Sequence, residues 1–140
     1  MPKKQNQSMK DWRERCRRRA ATLSPETRAR IIEALAKPFA EAKPGEKTER
    51  SYALIASEAR ANREAVVSVA ETTRMQTIAK AAARLRFPTQ GERQAVLDLL
   101  HGGGKSYGEM AEIAGAHVLV VVGIYEMNKR TVTVLRTESL

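Results

Sequence analysis

The chain carries the same helical punctuation twice. Residues 51–61 (SYALIASEARA) and 106–116 (SYGEMAEIAGA) share Ser, Tyr and three alanines at a constant spacing of 55. The match continues at that spacing, with Val66, Val67 and Glu71 answered by Val121, Val122 and Glu126. Upstream, Arg28, Ile31, Ile32, Glu33 and Leu35 pair with Arg93, Val96, Leu97, Asp98 and Leu100 at a spacing of 65, which places ten extra residues in the first copy's loop. A chain of 140 residues organised this way is expected to fold as two like units of three helices each.

The helix signals agree with that division. Ser24-Pro25-Glu26 is a helix start: a hydroxyl for the free amides, a proline at the first helical position, and an acid at the positive end. That helix is expected to run to about residue 36, because Lys37-Pro38 interrupts it, and residues 42–50 read as a surface loop. Ser51 caps a short helix ending near Arg60, with Tyr52, Ile55, Ala56 and Ala59 on one face. From Arg63 there is no Pro or Gly until Pro88, so one long helix, or two with a slight break, is expected; Met75, Ile78, Ala79, Ala82 and Leu85 form its stripe. Glu92 to Leu100 is amphipathic and stops at Gly102-Gly103-Gly104. The valine run after Ala116 suits a buried helix or a strand, as does the segment 131–135 (TVTVL). The expected class is all-α: a basic N-terminal arm over 1–23, a first unit over 24–87 with the long helix, and a second unit with a tail over 88–140.

Charge separates the two ends. The formal charge is +9, and residues 1–30 hold ten Lys/Arg against Asp11, Glu14 and Glu26, leaving about +2 for the rest. Such a balance calls for a polyanionic partner. The polar opening, Met1 to Gln7, reads as disordered, and the segment 11–20 (DWRERCRRRA) as a basic arm able to become helical, with Trp12 packing on the domain.

A three-helix unit with a tight turn before its last helix resembles the helix-turn-helix DNA-binding family. The resemblance rests on a small alanine where two motif helices cross (Ala56, Ala111) and on apolar residues along the next helix (Val66 and Val69; Val121 and Ile124). Gly115 stands at the turn of the second copy, where positive φ favours glycine; Arg60 stands there in the first. It covers about residues 25–75 and 88–130 and implies that the second motif helix enters the major groove. In the first unit this makes Asn62, Arg63, Glu64, Ser68 and Thr72 the candidate base contacts. Arg13, Arg15, Arg17, Arg18 and Arg19 of the arm, with Ser51 and Tyr52, are the candidate backbone contacts. Lys80, Arg84 and Arg86 could follow the backbone or simply solvate their helix. In the second unit Val118, Leu119 and Val122 occupy the reading positions and offer only apolar surface, so that copy reads as an interaction surface for a homodimer.

The expected function is therefore sequence-specific binding of double-stranded DNA by a transcriptional regulator, a repressor, with a setting among bacterial or mobile-element proteins. Two other readings stand beside it: a plasmid-maintenance or centromere-like protein on repeated sites, and a basic adaptor for RNA or protein. Enzymatic chemistry has little to work with. His101 and His117 stand apart from any metal-binding spacing, and Gly102-Gly103-Gly104-Lys105-Ser106 lacks the first glycine of a phosphate loop, which would fall at Leu99. No cofactor, metal or small-molecule substrate is expected. The single cysteine, Cys16, excludes an internal disulfide. No apolar run reaches the roughly 18 residues of a membrane span, so a cytoplasmic, nucleoid-associated protein without membrane contact is expected.

Overall fold

The computed structural model describes residues 2–132, with side chains from Gln7 onward. The described residues are all-α and contain no strand. Among them eight helices follow one another: α1 (Pro2–Ala21), α2 (Pro25–Glu41), α3 (Tyr52–Ala59), α4 (Arg63–Thr72), α5 (Met75–Arg86), α6 (Gln90–Gly102), α7 (Tyr107–Ala114) and α8 (Val118–Met127). A last helical turn covers 129–132. The chain forms two compact units, one of residues 1–35 and 50–73, the other of 36–49 and 74–140.

The duplication extends further than three helices. α3 and α7, and likewise α4 and α8, have identical bounds at the spacing of 55. Ser24 accepts a hydrogen bond from the Thr27 amide at 3.1 Å, and Thr89, its counterpart in the second copy, accepts one from the Glu92 amide at 3.2 Å. Arg28 reaches back to the Ala20 carbonyl at 3.0 Å, and its counterpart Arg93 to the Phe87 and Pro88 carbonyls at 2.8 and 2.9 Å. Each arginine thereby satisfies carbonyls at the end of the helix before its own, where a cation also meets the negative end of the helix dipole. The repeat is thus one of four helices, α1–α4 answered by α5–α8, because α1 packs on α4 just as α5 packs on α8.

This arrangement corrects some expectations and decides between the alternatives left by others. Residues 2–7 of the opening are helical rather than disordered, and the basic arm takes the helix its sequence allows: both belong to α1, a continuous helix of 20 residues whose Cys16 and Ala20 are buried and whose Trp12 is half-buried. The boundary at residues 23 and 24 consequently falls inside a unit. Helix α2 runs through Pro38 to Glu41, since the missing amide forfeits one hydrogen bond while Phe39 and Ala40 gain burial in the second unit's core. The long helix after Arg63 is broken at Thr73 and Arg74, both of extended backbone, with the Thr73 amide donating to the Val69 carbonyl as a cap. The valine run is helical, and so are Thr131 and Val132; residues 133–135 of the other strand candidate lie outside the described residues.

The cores differ in richness. In the first unit Ala20, Ile31, Ala34, Ile55, Ala56, Ala59, Val66 and Val69 pack together. The second is larger and includes Ile78, Ala82, Ala83, Val96, Leu97, Leu100, Met110, Val120, Val121, Ile124 and Val132. Among the described residues no single helix is long and apolar enough to cross a membrane; α7 and α8 reach that apolarity only as a pair bent by 105°. The apolarity of α8 goes into the core, with Val120, Val121, Gly123 and Ile124 buried.

Candidate nucleic-acid interface

The turn between α3 and α4 is set by three local devices. Ser51 starts α3 by accepting from the Leu54 amide at 3.2 Å. Arg60 ends it in the left-handed region, at φ 52° and ψ 51°, and the amides of Arg60 and Ala61 return to the carbonyls of Ser57 and Ala56 at 3.3 and 2.9 Å. Asn62 then starts α4, its side-chain oxygen accepting from the Glu64 amide at 2.8 Å. The second unit repeats each step: Ser106, Gly115 at φ 66° and ψ 33° with the same two returning amides, and His117, whose Nδ1 accepts from the Leu119 amide at 3.0 Å. There the two helices are bent by 105°, within the range of helix pairs joined by a turn of three or four residues.

Arg60 and Arg63 stand exposed on either side of the first turn. They line a wide-open depression of about 640 Å³ together with Ala53, Ala56, Ser57, Ala61 and Asn62. Small side chains make it open and two guanidinium groups make it cationic, so it can take an anionic group at the start of α4.

Of the five residues predicted to face bases, three stand at this end of α4 and two lie further along. Arg63 and Thr72 are exposed, and the Thr72 hydroxyl donates to the Ser68 carbonyl at 2.8 Å. Asn62 is exposed, but its oxygen is engaged in the cap. Glu64 is half-buried and paired with Arg15 at 3.4 Å. Ser68 departs from the prediction: it is only 5% exposed, and so is its neighbour Val67. The reason is α1, which lies against α4 on the side away from the α2–α3 core, so that five consecutive residues, Ala65 to Val69, more than a full helical turn, are buried between the two. The surface open to a ligand is therefore the α3–α4 turn and the two ends of α4, not its middle.

The arm residues share the outer faces of α1. Arg13, Arg15, Arg17, Arg18 and Arg19 are exposed, as is Lys10, while Cys16 and Ala20 face inward. Arg18 pairs with Glu14 at 2.8 Å and holds its carboxyl below the usual carboxylate range. Ser51 is the α3 cap and Tyr52 is exposed beside it. Two exposed cations beside these candidates were not named from sequence: Arg60, read only as a departure from glycine, and Lys10. By sequence the first unit holds thirteen Lys/Arg against seven Asp/Glu, the second twelve against nine.

The second unit's corresponding surface is apolar. Val118 is exposed, and Leu119 and Val122 are half-buried, Leu119 packing on the core. Ile113 and Tyr107 add exposed apolar area on α7. Arg84 and Arg86 are exposed on α5, with Arg86 over the Phe87 ring at 4.9 Å, and Lys80 is half-buried. His101, in the last turn of α6, has a buried Nε2 without a hydrogen-bond partner, and His117 packs edge-on against Phe39 at 5.3 Å. Burial lowers the His117 pKa. Among the described residues no three His, Cys, Asp or Glu side chains are grouped to hold a metal ion.

Comparison of the chain with protein-family models, with curated proteins and with solved structures gives no match.

Proposed function

We propose that this protein binds double-stranded DNA through its first unit, as a regulator of the helix-turn-helix type. One observation carries the reading: the α3–turn–α4 segment combines a left-handed residue at the turn, an alanine at the crossing and an apolar inner face with a cationic rim. The second copy repeats the turn, with its two helices bent by 105°, but lacks that rim. Arg63 is the principal base-reading candidate, since an exposed guanidinium at the start of such a helix can pair bidentately with guanine. Arg60 and the exposed cations of α1 supply phosphate contacts. The second unit, whose equivalent positions are Val118, Leu119 and Val122, serves as the surface through which two chains associate on a two-fold site.

The test is fluorescence anisotropy with duplex DNA across a salt series, for the native chain, Arg63→Ala and Val118→Ala. The account expects affinity to fall with salt as counterions are released. Arg63→Ala should weaken binding to the preferred site by roughly 1–3 kcal/mol, whereas Val118→Ala should leave the contact of one chain with DNA unchanged. Equal loss at every sequence on Arg63→Ala would reduce the role of the first unit to backbone attachment. No binding at low salt would remove the reading altogether.

A further inference from the structure

The side of α4 that faces away from α3 is the side a DNA groove would receive. Val66 and Val69 point into the core with α3 and α2, and Glu64, Ser68 and Glu71, at helical spacings of four and three, line the opposite side. That opposite side is occupied. Arg15 pairs with Glu64, Val67 and Ser68 are buried, and the Cys16 thiol is close enough to Glu64 and Glu71 for both charges to act on it. Cys16, buried and next to the Arg15 that pairs with Glu64, therefore lies against this side of the helix.

The cover is held by a narrow seam along α4 and, at its end, by the Arg28 guanidinium donating to the Ala20 carbonyl at 3.0 Å. Of the described side chains of α1 only Cys16 and Ala20 are buried, with Trp12 half-buried, and the Arg15–Glu64 pair is largely solvated, with Arg15 at 61% exposure. In the second unit the equivalent helix α5 buries Ile78, Ala79, Ala82 and Ala83, and its Ala79 carbonyl would lie 2.0 Å from any Cβ at Gly123. Gly123 is the counterpart of Ser68 in the repeat, so the place where α5 meets bare backbone corresponds in the first unit to a buried serine. The cover with the fewer buried side chains is also the cationic one: Lys10, Arg13, Arg17, Arg18 and Arg19 are exposed along it.

We propose that α1 is a displaceable cover of the DNA-facing side of α4, and that duplex DNA and α1 compete for that side. The inference rests on the DNA-binding reading above. On displacement the apolar seam of Cys16 and Ala20 is lost, and the arginines of α1 exchange water and the Arg15–Glu64 ion pair for phosphate contacts on both flanks of the groove. The free protein is thereby held in a form that reads sequence poorly, and binding selects the opened form.

Cys16 is the only cysteine in the chain and reports the opening directly. Burial, reinforced by Glu64 and Glu71, raises its pKa, so the closed thiol is slow to react on both counts. The experiment is alkylation of the full chain with iodoacetamide, followed by mass spectrometry. It is run on the free protein, on protein saturated with duplex DNA that it has itself recovered from a random pool, and on protein saturated with heparin. Anisotropy measures binding in the same samples, and far-UV circular dichroism monitors helix content. The proposal expects alkylation at least about tenfold faster in the duplex complex, because reactivity follows the open population, with helix content retained and heparin producing little acceleration. Protection of Cys16 in a complex that anisotropy shows to be formed would overturn it, leaving DNA binding intact. Equal acceleration by heparin would overturn it too, since charge rather than the groove would be lifting α1. Absence of binding by anisotropy would take down the function and this inference together.

Discussion

The two units share one plan and spend it differently. Each places a helix across the motif's second helix, each turns at a left-handed residue, and each begins the motif's first helix with a serine accepting an early amide of that helix. In the second unit every one of these features is tightened: glycine at the turn, a reciprocal cap at Ser106 and Glu109, and a glycine where α5 crosses α8. In the first unit the same positions hold Arg60, a one-sided cap at Ser51, and Ser68. A duplicated fold thus puts the tighter packing in one copy and the larger excess of positive charge in the other. The copy that carries the charge gave up packing at the positions where the other copy gained it.

The largest effect expected from breaking this contrast is at the helix crossing. Gly123→Ala forces a Cβ into the Ala79 backbone and should destabilise the protein by about 3 kcal/mol, measured by urea denaturation. Ser68→Ala at the equivalent position removes a hydroxyl and leaves no clash, so its cost should be at most about 1 kcal/mol. Similar costs at the two sites would mean that α1 is seated as tightly as α5.

The caps come next. Ser106→Ala removes the acceptor for the Glu109 amide at 3.1 Å and frees the Glu109 carboxylate from its hydroxyl, at a cost of about 1–2 kcal/mol. Ser51→Ala loses the single bond to the Leu54 amide and should cost about 1 kcal/mol or less. Smaller again, and opposite in sign, is Arg60→Gly: it relieves a positive φ of 52° and should stabilise the protein by about 0.5–1 kcal/mol. The same change removes a cation from the depression beside α4, so the salt slope of DNA binding should become shallower by about one unit.

The smallest effect concerns pH and belongs to the second unit alone. Asn62 caps α4 with an oxygen that does not titrate, while His117 caps α8 with a ring nitrogen. Burial lowers the His117 pKa from 6.5, so the unfolded chain takes up its proton first as pH falls. Its contribution is complete above pH 6.5 and is lost as pH falls through the lower folded value. His117→Asn should keep the cap and flatten that part of the stability profile; an unchanged slope would assign it elsewhere.

Much of this architecture is written in local chemistry. The caps at Ser24, Ser51 and Ser106, the loop over 42–50 and the repeat itself rest on residue types that act within a few positions, and they predict helices that the structure contains. What escaped depends on distant partners. α1 hides its membership of the fold because its inward side is only Trp12, Cys16 and Ala20 among arginines, too thin a stripe to read as a core face. Pro38 ends a helix by local rules, yet the burial of Phe39 and Ala40 carries α2 past it. Ser68 looks like a surface residue until α1 is known to lie over it, and Gly123 looks unremarkable within a valine run until α5 is placed against it. Arg60 carried a signal of its own, a cation at a position of positive φ.

Whether the first unit reads DNA is decided by selection of bound duplexes from a random pool at fixed salt, with native protein and Arg63→Ala in parallel. The account predicts a defined motif that Arg63→Ala relaxes at one base position while the rest is kept. Recovery of no motif by the native chain, with retention governed by salt alone, would contradict it.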